Sequence, residues 1–247
     1  NIPFIIAPRI IDQVKKVAPK TCLIGFKLLS GVAHEELIEA AYGVLKDSGA
    51  SIVIANDAKD LNQKFIVTKE KEAIPCHMAE VAEFIAKLVR SKYYKTVLTP
   101  YREAVDYLLR NNVLFNQLKA QYQDKFEQHD NFGTVAVRIH KDTFITTSRK
   151  KDTVGVYIER IDHELRTVYC EGESKATLND PLLDNIFKAN PEVAYIVHYH
   201  EIVEDLPLKE YETPATAADS QRKDIETSFC IKHHGCYLLF DEKGKPL

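Results

Sequence analysis

The chain has 247 residues, enough for two domains of roughly 100–150 residues each. Its composition, with 45% hydrophobic and 28% charged residues and a net charge of −3, excludes a disordered tail protein, a coiled coil and a collagen-like chain. No apolar run reaches the ~18 residues of a membrane span and the basic residues form no stripe, so we expect neither a membrane nor a nucleic acid as partner. Five cysteines without a CxxC pair predict a reducing, cytoplasmic environment.

Residues 1–90 alternate helix and strand patterns. The predicted helices span 8–17, 34–47 and 78–89, and the predicted strands span 22–26, 51–55 and 64–68. Such alternation favours a mostly parallel sheet covered by helices, whose ligands bind beyond the carboxyl ends of the strands. The dipeptides 26–27 and 56–57 lie at two such ends, although the same residue types are also typical of a core position, a surface charge and a turn.

The rest of the chain changes character after Tyr93 and Pro100, which mark a boundary. Helices are predicted at 101–110, 113–128 and 180–189, and strands at 134–139, 143–147, 154–158, 165–170, 193–200, 228–232 and 236–240. Helices beside an antiparallel run of strands indicate an α+β or three-layer domain.

The strongest chemical signal is a pair of histidines in one predicted strand. Residues i and i+2 of a strand project from the same face, so His198 and His200 lie together. The pair His233 and His234, followed by Gly235, ends another strand. Three imidazoles with an open position are typical of a catalytic zinc site, and they also suit iron, manganese or cobalt. A buried, hydrogen-bonded histidine cluster is the alternative interpretation.

A metal-assisted deprotonation or hydrolysis also needs a carboxylate within hydrogen-bond reach. The candidates are Asp180, Glu173, Glu171 and Glu201. Their sequence positions do not show which of them reaches the histidines, and most carboxylates of a soluble protein are surface charges.

Three segments within residues 5–90 carry a family resemblance: LIGFKLL at 23–29, EELIEAA at 35–41 and IVIAND at 52–57. With them this part resembles the C-terminal half of the phosphopantothenoylcysteine synthetase family, the phosphopantothenate–cysteine ligases also described as DNA/pantothenate metabolism flavoproteins. The resemblance implies a Rossmann-like fold, a dimer, and ligation of cysteine to 4′-phosphopantothenate driven by a nucleoside triphosphate, CTP or ATP. It also implies that Phe26 packs on the nucleotide base and that Lys27 and Asn56 line the nucleotide pocket.

The N-terminal half of that family has a Gly-rich phosphate-binding turn, a catalytic Asn and a Lys-rich segment. None of these precedes the first segment here, and the chain does not begin with Met. We therefore expect a fragment or processed product of a longer protein, a partner polypeptide that supplies the missing half, or a relic domain. A homo-oligomer is the alternative to such a partner.

Five segments of the second half resemble the class II aldolase/adducin family, and they follow its order. They are NFGTVAVR at 131–138, FITTS at 144–148, NPEVAYIVHYH at 190–200, YETPAT at 211–216 and KHHG at 232–235. The resemblance implies an α/β/α fold with a zinc-centred site. It assigns His198, His200 and His234 as the zinc ligands.

Several positions depart from that family pattern. Asn179 stands where the family carries its catalytic Glu, with Asp180 beside it as a shorter, misaligned substitute. Thr134 replaces an Asn, and Arg149 replaces the Gly of the phosphate turn. Retained histidines with an altered acid–base and phosphate shell argue against sugar-phosphate aldolase activity, because proton abstraction needs a base. We therefore expect a metal bound without aldol chemistry.

Together these patterns predict an α/β protein with a partial Rossmann-like parallel sheet domain over 1–92 and an α/β/α class II aldolase-like domain over 93–247. The first hypothesis is a fusion protein of coenzyme A metabolism that joins a ligase-type nucleotide-binding half to a metal-binding domain. The second is a metal-dependent lyase or hydrolase for a small carbonyl compound, with Asp180 or Glu173 as its base. The third is a non-catalytic scaffold of the adducin kind.

Overall fold

The computed structural model describes residues 9–19, 21–90, 93–149 and 153–247. The chain divides into two compact units, residues 1–90 and 91–247, and each mixes helices with strands. The predicted α/β class is therefore confirmed. Within the described parts of the chain, no helix is both long and apolar enough to cross a membrane.

The first unit places one long helix on a small sheet. Its elements in chain order are α1 (Ile11–Val17), β1 (Ile24–Leu29), α2 (His34–Ser48), β2 (Ile52–Asp57), β3 (Asp60–Val67), β4 (Ala73–Cys76) and α3 (Met78–Arg90). The buried face of α2, with Leu37, Ala41 and Leu45, packs on Val53 of β2. The helix ends because Gly49 adopts the left-handed conformation, with φ of 66°, that a helix cap favours.

The sheet of the first unit has the strand order β1-β2-β3-β4. β1 and β2 are parallel, whereas β2–β3 and β3–β4 pair antiparallel. The sheet is thus mixed, whereas the alternating sequence pattern predicts a mostly parallel one. Two residues, Ala58 and Lys59, join β2 to β3, and a parallel neighbour would need a crossover of roughly a dozen residues or more.

The second unit begins with an edge strand that the sequence pattern did not predict, β5 (Lys95–Thr99). Its other elements are α4 (Glu103–Asn111), α5 (Val113–Gln121), α6 (Gln123–Glu127), β6 (Gly133–His140), β7 (Thr143–Thr146), β8 (Val156–Asp162), β9 (Thr167–Gly172), α7 (Asp180–Ala189), β10 (Tyr195–Tyr199), β11 (Leu208–Lys209), α8 (Ala217–Ser220), β12 (Phe229–Ile231) and β13 (Gly235–Phe240). The predicted helix 113–128 is two helices, because Tyr122 leaves the helical conformation between α5 and α6.

A nine-stranded sheet forms the centre of the second unit, in the order β11-β12-β13-β10-β6-β7-β8-β9-β5. β10 lies between β13 and β6 and is antiparallel to both. Successive side chains of β10 point to opposite faces, so Ile196 packs in one cluster with α7 and Val197 in another with α4, α5 and α6. The unit therefore has three layers, which is the predicted α/β/α arrangement.

Candidate metal centre

A tight hairpin brings two separate histidine segments together at the end of β10. His198 lies in β10, His200 follows its last residue, and His234 lies in the turn between β12 and β13. Gly235 begins β13 with φ of 124°, and a Cβ there would lie 2.1 Å from the carbonyl oxygen of Tyr199. Glycine alone allows this approach, so Gly235 sets His234 against the end of β10.

The three histidines predicted as metal ligands converge. Their ligand nitrogens all lie within 4.8 Å of one another. The ring centroids are 5.1 Å apart for His198 and His200, 4.7 Å for His198 and His234, and 4.8 Å for His200 and His234. His198 and His234 are buried and His200 is half-buried. Imidazole nitrogens are ligands that zinc and other first-row divalent metals prefer, so these residues fit such an ion.

A backbone hydrogen bond fixes the orientation of the His198 ring. Its Nδ1 lies 2.8 Å from the carbonyl oxygen of Cys236 on β13. A carbonyl oxygen only accepts hydrogen bonds, so Nδ1 carries the proton of the neutral ring and Nε2 keeps its lone pair. Metal-binding histidines use this arrangement, in which one ring nitrogen is anchored and the other faces the metal.

Two further polar side chains reach the histidines. Nε2 of His234 lies 3.4 Å from Oδ1 of Asn179 and 3.1 Å from the hydroxyl oxygen of Tyr237. The Tyr237 hydroxyl donates to the same Oδ1 over 3.1 Å. The ring of Tyr237 is fully buried between the rings of His198 and Phe229, at centroid distances of 4.2 and 5.1 Å. In the sequence Asn179 is visible only as a departure from a family pattern, and Tyr237 gives no signal until strand pairing sets it opposite His198.

A buried carboxylate lies near His234. Asp219 of α8 is 2% exposed, and its Oδ1 accepts a hydrogen bond from Nε of Arg222 over 2.8 Å. Burial raises the pKa of Asp219 to about 6, although the charges of Arg222 and His234 act in the opposite direction. No sequence pattern identifies this group, because its burial depends on where the short helix α8 packs.

The two carboxylates predicted as catalytic differ in exposure. Asp180 is fully buried at the start of α7. Burial raises the pKa of the Cys170 thiol to about 11, and the charge of Asp180 adds to that rise. Glu173 is exposed and lies near Tyr101, whose pKa is raised by burial and further by the charge of Glu173. The structure thus brings the three imidazoles together with Asn179.

The remaining carboxylate candidates take part in ion pairs. Glu171 is buried, accepts a hydrogen bond from the backbone N–H of Arg102 over 3.1 Å and pairs with its guanidinium at 2.5 Å. Glu201 pairs with Nζ of Lys125 at 2.5 Å. Arg102 precedes α4 and Lys125 lies in α6, so both pairs hold the helical layer to the ends of strands.

The three residues predicted to bind a nucleotide lie on β1 and β2. These strands are parallel, with Leu28 opposite Asn56. Phe26 therefore shares a face of the sheet with Asn56, whereas Lys27 projects from the opposite face, which α2 covers. Phe26 is 68% exposed, so its ring is accessible. The structure brings two of the three residues to one face.

Comparison with known proteins gives partial matches, and no family model matches the chain. In sequence, 52 residues, or 21% of the chain, are 44% identical to the coenzyme A biosynthesis bifunctional protein CoaBC of Thermococcus kodakarensis. Among solved structures, the DNA/pantothenate metabolism flavoprotein from Streptococcus pneumoniae is 31% identical over 34% of this chain, with a TM-score of 0.31. The chain covers 13% of the first protein and 40% of the second.

Aldolase-type structures also match the chain. YgbL from Escherichia coli, described as a candidate aldolase/epimerase/decarboxylase, is 11% identical, with 55% of this chain and 79% of that chain covered and a TM-score of 0.42. An L-fuculose 1-phosphate aldolase is 16% identical, with 53% and 77% covered and a TM-score of 0.38. The two resemblances seen in the sequence, to a coenzyme A biosynthesis protein and to class II aldolases, both recur among these matches.

Proposed function

We propose that the second unit binds one divalent metal ion through His198, His200 and His234 and acts as a metal-dependent lyase or hydrolase on a small carbonyl compound. The observation that carries this proposal is the convergence of three ring nitrogens to within 4.8 Å of one another. The anchored Nδ1 of His198 supports it, because a histidine held in this way presents Nε2 for coordination. Zinc is the expected metal, and iron, manganese or cobalt would suit the same imidazoles.

His198, His200 and His234 would hold the divalent ion, which when bound would supply Lewis-acid polarisation of a substrate carbonyl. Two residues, Tyr237 and Asn179, contact the histidines at this position. Tyr237 fills the space beside the His198 ring, and Asn179 presents a neutral oxygen where the aldolase family carries a carboxylate. A reaction that abstracts a proton also needs a base, and the proposed base is Asp180 or Glu173.

Metal content is the first test of this proposal. Protein purified without a His tag or chelator is analysed by plasma mass spectrometry beside a His198→Ala/His200→Ala variant, with His140→Ala as a control at an exposed histidine. About one metal ion per chain is expected in the parent protein and in the control, and none in the double variant. A parent protein without metal would rule out the centre.

Turnover is tested next, with small hydroxycarbonyl compounds and their phosphorylated forms as substrates. The double histidine variant is expected to lose all turnover that the parent protein shows, because the carbonyl is then no longer polarised. Unchanged turnover in that variant would rule out a metal-dependent reaction.

The identity to a coenzyme A biosynthesis protein favours a second candidate function, in the first unit. This unit would bind CTP or ATP, with Phe26 against the base and with Lys27 and Asn56 at the pocket. It would form part of a phosphopantothenate–cysteine ligase site that is completed by a further segment, a partner chain or a second copy. Its support is the family resemblance of the segments 23–29 and 52–57 together with the accessible ring of Phe26.

Calorimetric titration with CTP and with ATP tests this candidate. Nucleotide affinity is expected to fall about 5- to 150-fold in Phe26→Ala, because base–aromatic stacking is worth ~1–3 kcal/mol. Leu61→Ala is the matched control, since Leu61 is also an exposed apolar side chain of this unit. If neither nucleotide binds, even with the N-terminal half of a ligase supplied, the first unit has no nucleotide site.

A further inference from the structure

We propose that a cavity beside α7, named here the Arg222 cavity, binds a free α-amino acid with an aliphatic side chain. Its volume is about 470 Å³, within the roughly 300–1,000 Å³ of small-molecule sites. None of the three histidines lines it, so this inference goes beyond the proposed metal centre and does not depend on it. The cavity is lined by Asn185 and Ala189 of α7 and by residues 222–226, which follow α8.

A buried cation forms one wall of the Arg222 cavity. The side chain of Arg222 is 7% exposed, although its guanidinium is always charged. Its Nε donates to Oδ1 of Asp219 over 2.8 Å, and its Nη1 donates to the main-chain carbonyl of Glu210 over 2.7 Å. Within the described parts of the chain, no group accepts a hydrogen bond from the buried Nη2. A guanidinium with unused N–H groups at the wall of a cavity is suited to a carboxylate, which accepts such donors in pairs.

Carboxylates lie at the rim of the same cavity. Asp224 and Glu226 are exposed and line it. The exposed Lys223 adds one positive charge, so the rim stays negative overall. This rim attracts an ammonium group and repels a plain anion. An α-amino acid carries both charges on neighbouring atoms, so its carboxylate matches the buried cation while its ammonium group matches the rim.

Two apolar residues complete the lining. Ala189 is the last residue of α7, and Ile225 is a buried member of the core cluster that includes Ile186 of the same helix. Small-molecule sites combine such apolar surface with a few polar groups that fix the orientation of the ligand. An aliphatic side chain on the amino acid would lie against Ala189 and Ile225.

Main-chain hydrogen bonds hold the loop that forms the cavity. The carbonyl oxygen of Lys223 accepts from Nζ of Lys209 over 3.1 Å, and that of Glu226 accepts from Nδ2 of Asn190 over 2.7 Å. Between these two points the chain turns at Asp224, which has φ of 54°. A loop fixed in this way loses little conformational entropy when a ligand binds, which favours affinity.

Calorimetric titration of the full chain with L-leucine, L-valine and L-methionine tests this inference. The titration is repeated with the deaminated acid and the decarboxylated amine of each amino acid that binds. Affinity is expected to fall about 10–100-fold without the carboxylate and about 3–10-fold without the ammonium group. If none of the three amino acids binds, or if the amine binds as tightly as the amino acid, the inference is wrong. If inorganic phosphate binds as tightly as the amino acid, the cavity is a plain anion site and the inference is also wrong.

Substitutions at the rim locate the binding without disturbing buried groups. Asp224→Asn/Glu226→Gln is expected to bind the amino acid about 3–10-fold more weakly and the deaminated acid at least as tightly as the parent chain. Both side chains are exposed, so this variant is expected to fold. Glu242→Gln, at an exposed carboxylate outside the cavity, is the matched control and should bind as the parent chain does.

Substitution of the buried cation tests the carboxylate contact. Arg222→Gln is expected to weaken binding of the amino acid about 10–100-fold. Arg222→Lys keeps the charge beside Asp219 and is expected to bind with intermediate affinity, because it lacks the paired N–H groups. If Asp224→Asn/Glu226→Gln binds the amino acid as tightly as the parent chain, the inference is overturned, whether or not Arg222→Gln folds.

Discussion

A Cβ on Gly235 would lie 2.1 Å from the carbonyl oxygen of Tyr199. This close approach joins the β12–β13 hairpin to the end of β10, where Tyr199 pairs with Cys236. It places His234 beside His198 and His200, although β11, α8 and β12 lie between them in the chain. The convergence of the three histidines therefore depends on the absence of a side chain at position 235.

Gly235→Ala is expected to lower the free energy of unfolding of the second unit by about 2–4 kcal/mol, because the methyl group overlaps backbone atoms and φ is positive. It is also expected to lose the bound metal. Gly49→Ala is the control: it too has a positive φ, but its Cβ would meet nothing closer than 3.4 Å, so about 1 kcal/mol is expected. Urea unfolding followed by circular dichroism measures both, and equal losses would contradict the steric argument.

Asp219 predicts a pH dependence of stability. Burial raises its pKa in the folded chain to about 6, from the ordinary value of 3.8. Between these values the folded state binds more protons than the unfolded state, so the free energy of unfolding falls as the pH rises from about 4 to about 6. Across this pH range the free energy of unfolding is expected to fall by on the order of 3 kcal/mol.

Urea unfolding of chelator-treated protein across that pH range checks the sign of the Asp219 effect. Asp219→Asn is expected to lack this part of the pH dependence, while the exposed Asp224→Asn keeps it. If the parent chain and Asp219→Asn gave parallel curves, the buried carboxylate would not titrate in this range.

The thiols predict a sharp difference in reactivity. Cys22 is exposed and the other four cysteines are buried. Burial also raises the pKa of Cys170 to about 11 and that of Cys236 to about 12, and the thiolate is the reactive species. One fast-reacting thiol is therefore expected with dithionitrobenzoate at neutral pH. Cys22→Ser should remove that fast phase, and a second fast thiol in the folded protein would show that the buried set opens.

The sequence predicted local elements better than their pairing. α2 was predictable because Leu37, Ala41 and Leu45 recur on one face and Gly49 can adopt the left-handed cap. The antiparallel β2–β3 pair was not, because strand direction depends on the length of the connection rather than on the strand pattern. β5 was missed because an edge strand with half-exposed side chains has no apolar run to mark it.

In the candidate site, too, local features were predictable and contacts between elements were not. His198 and His200 were predictable as neighbours, because the two-residue period of a strand is a local property. Tyr237 was not, because it reaches the centre only through the register that sets it opposite His198. The burial of Asp219 was not predictable either, because it depends on where α8 packs. Local chemistry is thus visible in the sequence, whereas contacts made across strands and helices require the fold.

Glu171 and Glu173 test whether a carboxylate near the sheet edge serves folding or chemistry. Glu171 is buried and accepts two hydrogen-bonding groups of Arg102, so Glu171→Ala is expected to cost about 2–3 kcal/mol by leaving buried partners unsatisfied. Glu173 is exposed, and Glu173→Ala is expected to change the free energy of unfolding by less than ~0.5 kcal/mol. Unfolding and turnover are measured on both variants. Lost turnover with unchanged stability in Glu173→Ala would support its proposed role as a base, whereas equal destabilisation by the two variants would contradict the burial difference on which the comparison rests.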